Sequence, residues 1–99
     1  LKTSSDPAIE TIKARIFIKL GQVEEAVSMF DELAKKYKNY APLYHYRGMA
    51  FMLRGQPKEA IRSWQEVIKI NKLYAQSHGL DKRISIAQKM IEPTKVESH

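Results

Sequence analysis

The chain has 99 residues, enough for one domain with a small core, and its 43% hydrophobic and 28% charged residues exclude a disordered or fibrous polypeptide. Cysteine is absent, which removes disulfides, thiolate nucleophiles and zinc–thiolate sites together and leaves the compartment open, because reducing and exported settings both tolerate such a chain. The net charge of +6 would suit nucleic acid or acidic lipid, so it has to be located before it is read.

No apolar run approaches the roughly 18 residues of a membrane helix, and the opening LKTSSDP lacks the basic-then-apolar pattern of a secretory signal. A start at Leu1 without methionine is expected of a processed protein or an excised fragment. Residues 1–6 read as an N-terminal extension. Asp6 before Pro7 is an N-cap followed by proline at the first helical position, and Gly21 closes that helix in the left-handed conformation. The next helix spans residues 23–37. Pro42 stands in the first turn of a third helix ending near Gly55, and Pro57 opens a fourth that runs to about Ile70. A fifth helix, from about Tyr74 to Ile91, carries Leu80, Ile84, Ala87 and Ile91 on one stripe before Pro93 stops it. Residues 93–99, with the polar TKVESH, read as a flexible tail. The chain is therefore expected to be all-α, with five helices.

The stretch RGQPKEAIRSW at residues 54–64 nearly repeats LGQVEEAVSMF at residues 20–30, a period of 34 residues. The same shift pairs Phe17 with Phe51, Gly21 with Gly55, Gln22 with Gln56, Glu25 with Glu59 and Ala26 with Ala60. It also pairs Phe30 with Trp64, Leu33 with Val67, Glu32 with Glu66 and Lys35 with Lys69, and brings Tyr40 and Ala41 onto Tyr74 and Ala75. A fixed period in this range marks stacked supersecondary units, here helical hairpins.

These residues resemble the tetratricopeptide repeat family, whose unit is a pair of antiparallel helices, A and B. With Pro7, Ala41 and Ala75 as first positions, the small eighth position is Ala14 and Gly48 and the aromatic eleventh is Phe17 and Phe51. The twentieth is Ala26 and Ala60, and the aromatic twenty-fourth is Phe30 and Trp64. Small residues let helices approach closely while the rings fill the space beside them. The chain departs from the family pattern where Glu10 and Tyr44 replace a tryptophan and where Lys38 and Lys72 replace a proline. The resemblance implies a right-handed superhelical stack, an α-solenoid: repeats at residues 7–40 and 41–74, then a capping helix at 75–92 that turns Lys82 and Ser85 to water.

Helix A of the first repeat spreads Ile9, Ile12, Ile16, Ile18 and Leu20 over more than one stripe. Either two neighbouring helices bury most of these side chains, or a further repeat of a longer parent or a second copy of the chain covers them.

Catalysis finds little support. Gly21, Gly48, Gly55 and Gly79 form no phosphate-cradling loop, and His45, His78 and His99 lack the spacing of helical metal ligands, so neither cofactor nor metal is expected. Glu24, Glu25 and Glu59 favour the dipoles of B helices, and Lys35, Lys36, Lys38, Lys69 and Lys72 do the same at the opposite ends. Much of the positive charge is thus capping, and Tyr37, Tyr40, Tyr44 and Tyr46 cluster at one inter-repeat turn, where burial is a commoner use of the rings than base stacking. Nucleic acid is the weaker reading.

By the resemblance, a partner protein or peptide would lie in the concave groove of the A helices. The groove positions are Ala8, Thr11, Arg15, Ile18 and Lys19, then Pro42, His45, Met49, Met52 and Leu53, then Gln76, Gly79, Arg83, Ile86 and Ala87. They are apolar with a basic fringe and contain no acid, so the expected partner is apolar with acidic flanks. The lysine, arginine and asparagine set by which some family members grip a chaperone's C-terminal carboxylate is missing here, since those slots hold Thr11, Arg15, Tyr46, Gln76 and Leu80.

Overall fold

The computed structural model describes residues 6–91. The expectations for residues 1–5, the stop at Pro93 and the tail lie outside the described residues. The helices are α1 (Pro7–Lys19), α2 (Val23–Lys36), α3 (Ala41–Leu53), α4 (Pro57–Ile70), α5 (Lys72–Ser77) and α6 (Leu80–Ile91).

Local chemistry accounts for the boundaries. The Asp6 carboxylate accepts from the Ala8 amide at 2.9 Å, with Pro7 in the position where a missing N–H costs nothing. Gly21 and Gly55 adopt φ of 78° and 80°. Around each, two amides turn back on the helix: Gly21 to the Ile18 carbonyl and Gln22 to that of Phe17, then Gly55 to Met52 and Gln56 to Phe51, at 2.8–3.0 Å. The two hairpins close by the same motif, 34 residues apart.

Packing repeats with the same period. α2 buries Ala26, Val27, Phe30 and Leu33, and α4 buries Ala60, Ile61, Trp64 and Val67 at matching positions. α1 packs on α2 and α3 on α4, while α2 also lies against α3 and α4 against α5 and α6. Trp64, Phe30, Leu43, Leu80 and Val67 are the largest fully buried side chains, and each such burial contributes about 1.5–3 kcal/mol. Tyr44 ties the inter-repeat turn down by donating its hydroxyl to the Lys38 carbonyl at 2.9 Å.

The C-terminal cap differs from the single helix expected between Tyr74 and Ile91. It is two helices, so the fold has six in place of five among the described residues. The Asn71 side chain accepts from the Tyr74 amide at 3.0 Å and starts α5 at Lys72, and Gly79, at φ 64°, breaks the chain before α6. The apolar stripe survives the break. Leu80 and Ala87 are fully buried and Ile84 and Ile91 partly so, while Lys82 and Ser85 are exposed.

Candidate functional site

The positions expected to line a groove divide by depth. Thr11 and His45 are buried, at 4% and 5% exposure, so neighbouring side chains cover them. Arg15, Ile18, Met49 and Met52 are half-buried, and Lys19, Leu53, Gln76 and Arg83 are exposed. Met49, Met52, Leu53 and Arg83 come together with Trp64 and Ile86 around an open cavity of about 230 Å³ between α3, α4 and α6. Thr11, Ile18, Lys19 and Gln76 do not line it. Leu53 and Ile86 remain mostly exposed at its mouth, which leaves an apolar rim facing water.

Beside this cavity lies a ring cluster that sequence reading does not anticipate. The Tyr74 hydroxyl and His45 Nδ1 share a 2.8 Å hydrogen bond between α5 and α3. His78 stacks on Tyr74 with centroids 3.9 Å apart and meets the His45 ring edge-on at 5.2 Å. Tyr46 stacks on His45 at 4.4 Å and carries the Arg15 guanidinium, from α1, 4.1 Å above its own ring. Tyr46 therefore serves this face, whereas Tyr44 is the ring buried at the turn, and Tyr37 and Tyr40 are half-buried there. A Tyr74–His78 spacing of four residues was the available signal, but their partner His45 is a repeat away in sequence.

The electrostatics of the cluster follow from burial and from neighbouring cations. Burial first, then His78, Arg83 and Arg15, push the His45 imidazole down to about 4, so it is neutral near pH 7. Burial, with Tyr46 and Tyr40 beside it, pushes the Tyr74 hydroxyl up to about 12. Arg47, Arg54 and Arg62 find carboxylates on Asp31, Glu24 and Glu59 at 2.7, 3.3 and 3.2 Å. Arg15 and Arg83 have no such partner among the described residues, and both bear on His45. Among the described residues the face thus carries two arginines without a carboxylate partner.

At the other end of the stack, Ile9, Ile12 and Ile16 of α1 and Leu20 just after it are at least half exposed, and of the five side chains expected to spread over this surface only Ile18 is partly covered. The neighbouring helices α2 and α3 do not bury this surface. Among the described residues, no group of three histidine or acidic side chains is placed to hold a metal ion, and no helix is long and apolar enough to cross a membrane.

Comparison with known proteins gives the tetratricopeptide repeat at residues 12–40 and again at residues 41–74. No curated protein matches the chain.

Proposed function

The chain belongs to the tetratricopeptide repeat family, whose repeats generally mediate protein–protein interaction and scaffolding without catalysis, and on that premise we propose that it acts as an adaptor or scaffold, seating an apolar anchor of a partner segment between α3, α4 and α6. The observation that carries this reading is the cavity of about 230 Å³ lined by Met49, Met52, Leu53, Trp64 and Ile86 with Arg83 at its edge. Two methionines adapt their shape to an incoming side chain, and the fully buried Trp64 gives the cavity a rigid wall. The uncompensated Arg15 and Arg83 favour a partner with carboxylates beside its anchor.

Fluorescence anisotropy with a labelled peptide carrying Leu and Phe between Glu-rich flanks tests the reading. The peptide should bind, a Lys-flanked version should not, and Ile86→Lys at the exposed mouth should weaken binding at least ~10-fold. Equal affinity for both peptides, or an Ile86→Lys variant indistinguishable from the parent chain, removes the cavity as the binding site.

A further inference from the structure

The repeat period allows the uncovered face of α1 to be compared with the same face one unit later. Ile9 corresponds to Leu43, Lys13 to Arg47 and Ile16 to Ala50. Ile9 and Ile16 are 52% and 50% exposed, whereas Leu43 and Ala50 are both at 0%. The stripe on α3 is turned toward α2, because Arg47, between Leu43 and Ala50, donates from Nε and Nη2 to the Asp31 carboxylate at 3.1 and 2.7 Å. Arg54, which corresponds to Leu20, likewise reaches back to Glu24 of α2 at 3.3 Å. Ile12 corresponds to Tyr46, which is covered by Arg15 of α1. The face that is bare on α1 is therefore covered on α3 by both helices of a preceding hairpin.

We propose that the outer face of α1 is the docking site for a helical hairpin of the α1–α2 kind that carries a carboxylate in the place of Asp31, opposite Lys13. Lys13 is exposed and forms no ion pair among the described residues. A bare stripe of isoleucines around a single cation is complementary to a helix with an apolar stripe around a single acid, which is what α2 presents to α3.

A second copy of this chain fits the site poorly. The opposite end of the stack, α6, exposes Ile86 and Met90, but it surrounds them with exposed Lys82, Arg83 and Lys89 against the one acid Asp81. Joined head to tail, these cations would meet the end of the stack that carries Lys13. A two-fold pairing of α1 with α1 would bring Lys13 of each copy to the same stripe of the other. Like charges at an apolar contact disfavour both arrangements.

The test extends the full chain by repeating residues 7–40 in frame ahead of Pro7. The added hairpin should raise the thermal midpoint by at least ~5 °C and slow amide exchange in the original α1 at least ~10-fold. Asp31→Lys in the added hairpin should lose part of that rise, and Lys13→Glu in the original α1 should restore it. No rise with unchanged exchange in α1 overturns the site, and failure of the charge swap overturns the carboxylate. Sedimentation of the unextended chain decides the remaining alternative: a dimer that Ile12→Lys dissociates would give the face to a second copy and overturn the proposal.

Discussion

The indole of Trp64 occupies the space in which a side chain on Gly48 would stand. A Cβ at that position would lie 2.6 Å from Cε2 and 2.7 Å from Cδ1, and the indole N–H donates to the His45 carbonyl on the same helix at 3.0 Å. One repeat earlier the corresponding pair is Ala14 and Phe30, both fully buried. The larger ring faces the smaller partner, so volume is conserved at the A–B contact of each unit.

Gly48→Ala should therefore destabilise the protein by about 1–3 kcal/mol, although alanine favours a helix over glycine by up to ~1 kcal/mol. Trp64→Phe in the same chain should recover much of the loss by reproducing the first repeat's pair. Urea midpoints of the two single variants and the double variant check this, and simple additivity would contradict a shared contact.

Ala60→Leu should cost about 1–3 kcal/mol. Ala60 is fully buried on α4 at the position equivalent to Ala26 on α2, where added methylenes drive helices apart. An unchanged urea midpoint would mean that the contact has room to spare.

Acid should weaken the fold through His45. Its folded value of about 4 lies below the ordinary 6.5, because burial and then His78, Arg83 and Arg15 oppose its charge. Between those values the unfolded chain takes up the proton more readily, so stability is full above about 6.5 and falls as pH drops through about 4. The loss attributable to His45 is up to about 3 kcal/mol. His45→Gln should flatten this part of the profile, measured as urea midpoints at pH 7.5, 5.5 and 4.5. Parallel profiles for the variant and the parent would rule His45 out as the source.

In the groove, Met49→Ala with Met52→Ala should weaken binding of the Glu-flanked peptide more than Arg15→Ala does, since apolar anchors supply most affinity and rim charges mainly affect association rate. Arg83→Glu should slow association and flatten its salt dependence while leaving the thermal midpoint nearly unchanged, because this side chain is exposed. Calorimetry and stopped flow at two salt concentrations separate the effects. Full affinity in the double methionine variant, with helicity intact, would move the site elsewhere.

The repeat, the hairpin closures and the close contacts at Ala14, Ala26, Gly48 and Ala60 were legible in the amino-acid sequence, because each depends on spacing along one helix or on the backbone freedom of one residue. Gly21 and Gly55 end helices wherever they stand, and a period of 34 survives any error in a single boundary. The all-helical class and the family follow from those local facts. Tertiary structure decided which of the expected groove positions reach solvent: Thr11 and His45 share the helical register of Arg15 and Met49, yet packing puts the first two beneath the surface. It also decided the break of the cap at Gly79, since a glycine within an apolar stripe is compatible with a straight helix until Asn71 starts α5 early and α6 packs on α4. The bond between His45 and Tyr74 joins residues 29 apart in the chain, and the imidazole is depressed because burial, and then His78, Arg83 and Arg15, reach it from separate helices. Periodicity along the chain records what each helix offers to a neighbour, whereas burial and charge at a site depend on which neighbours arrive.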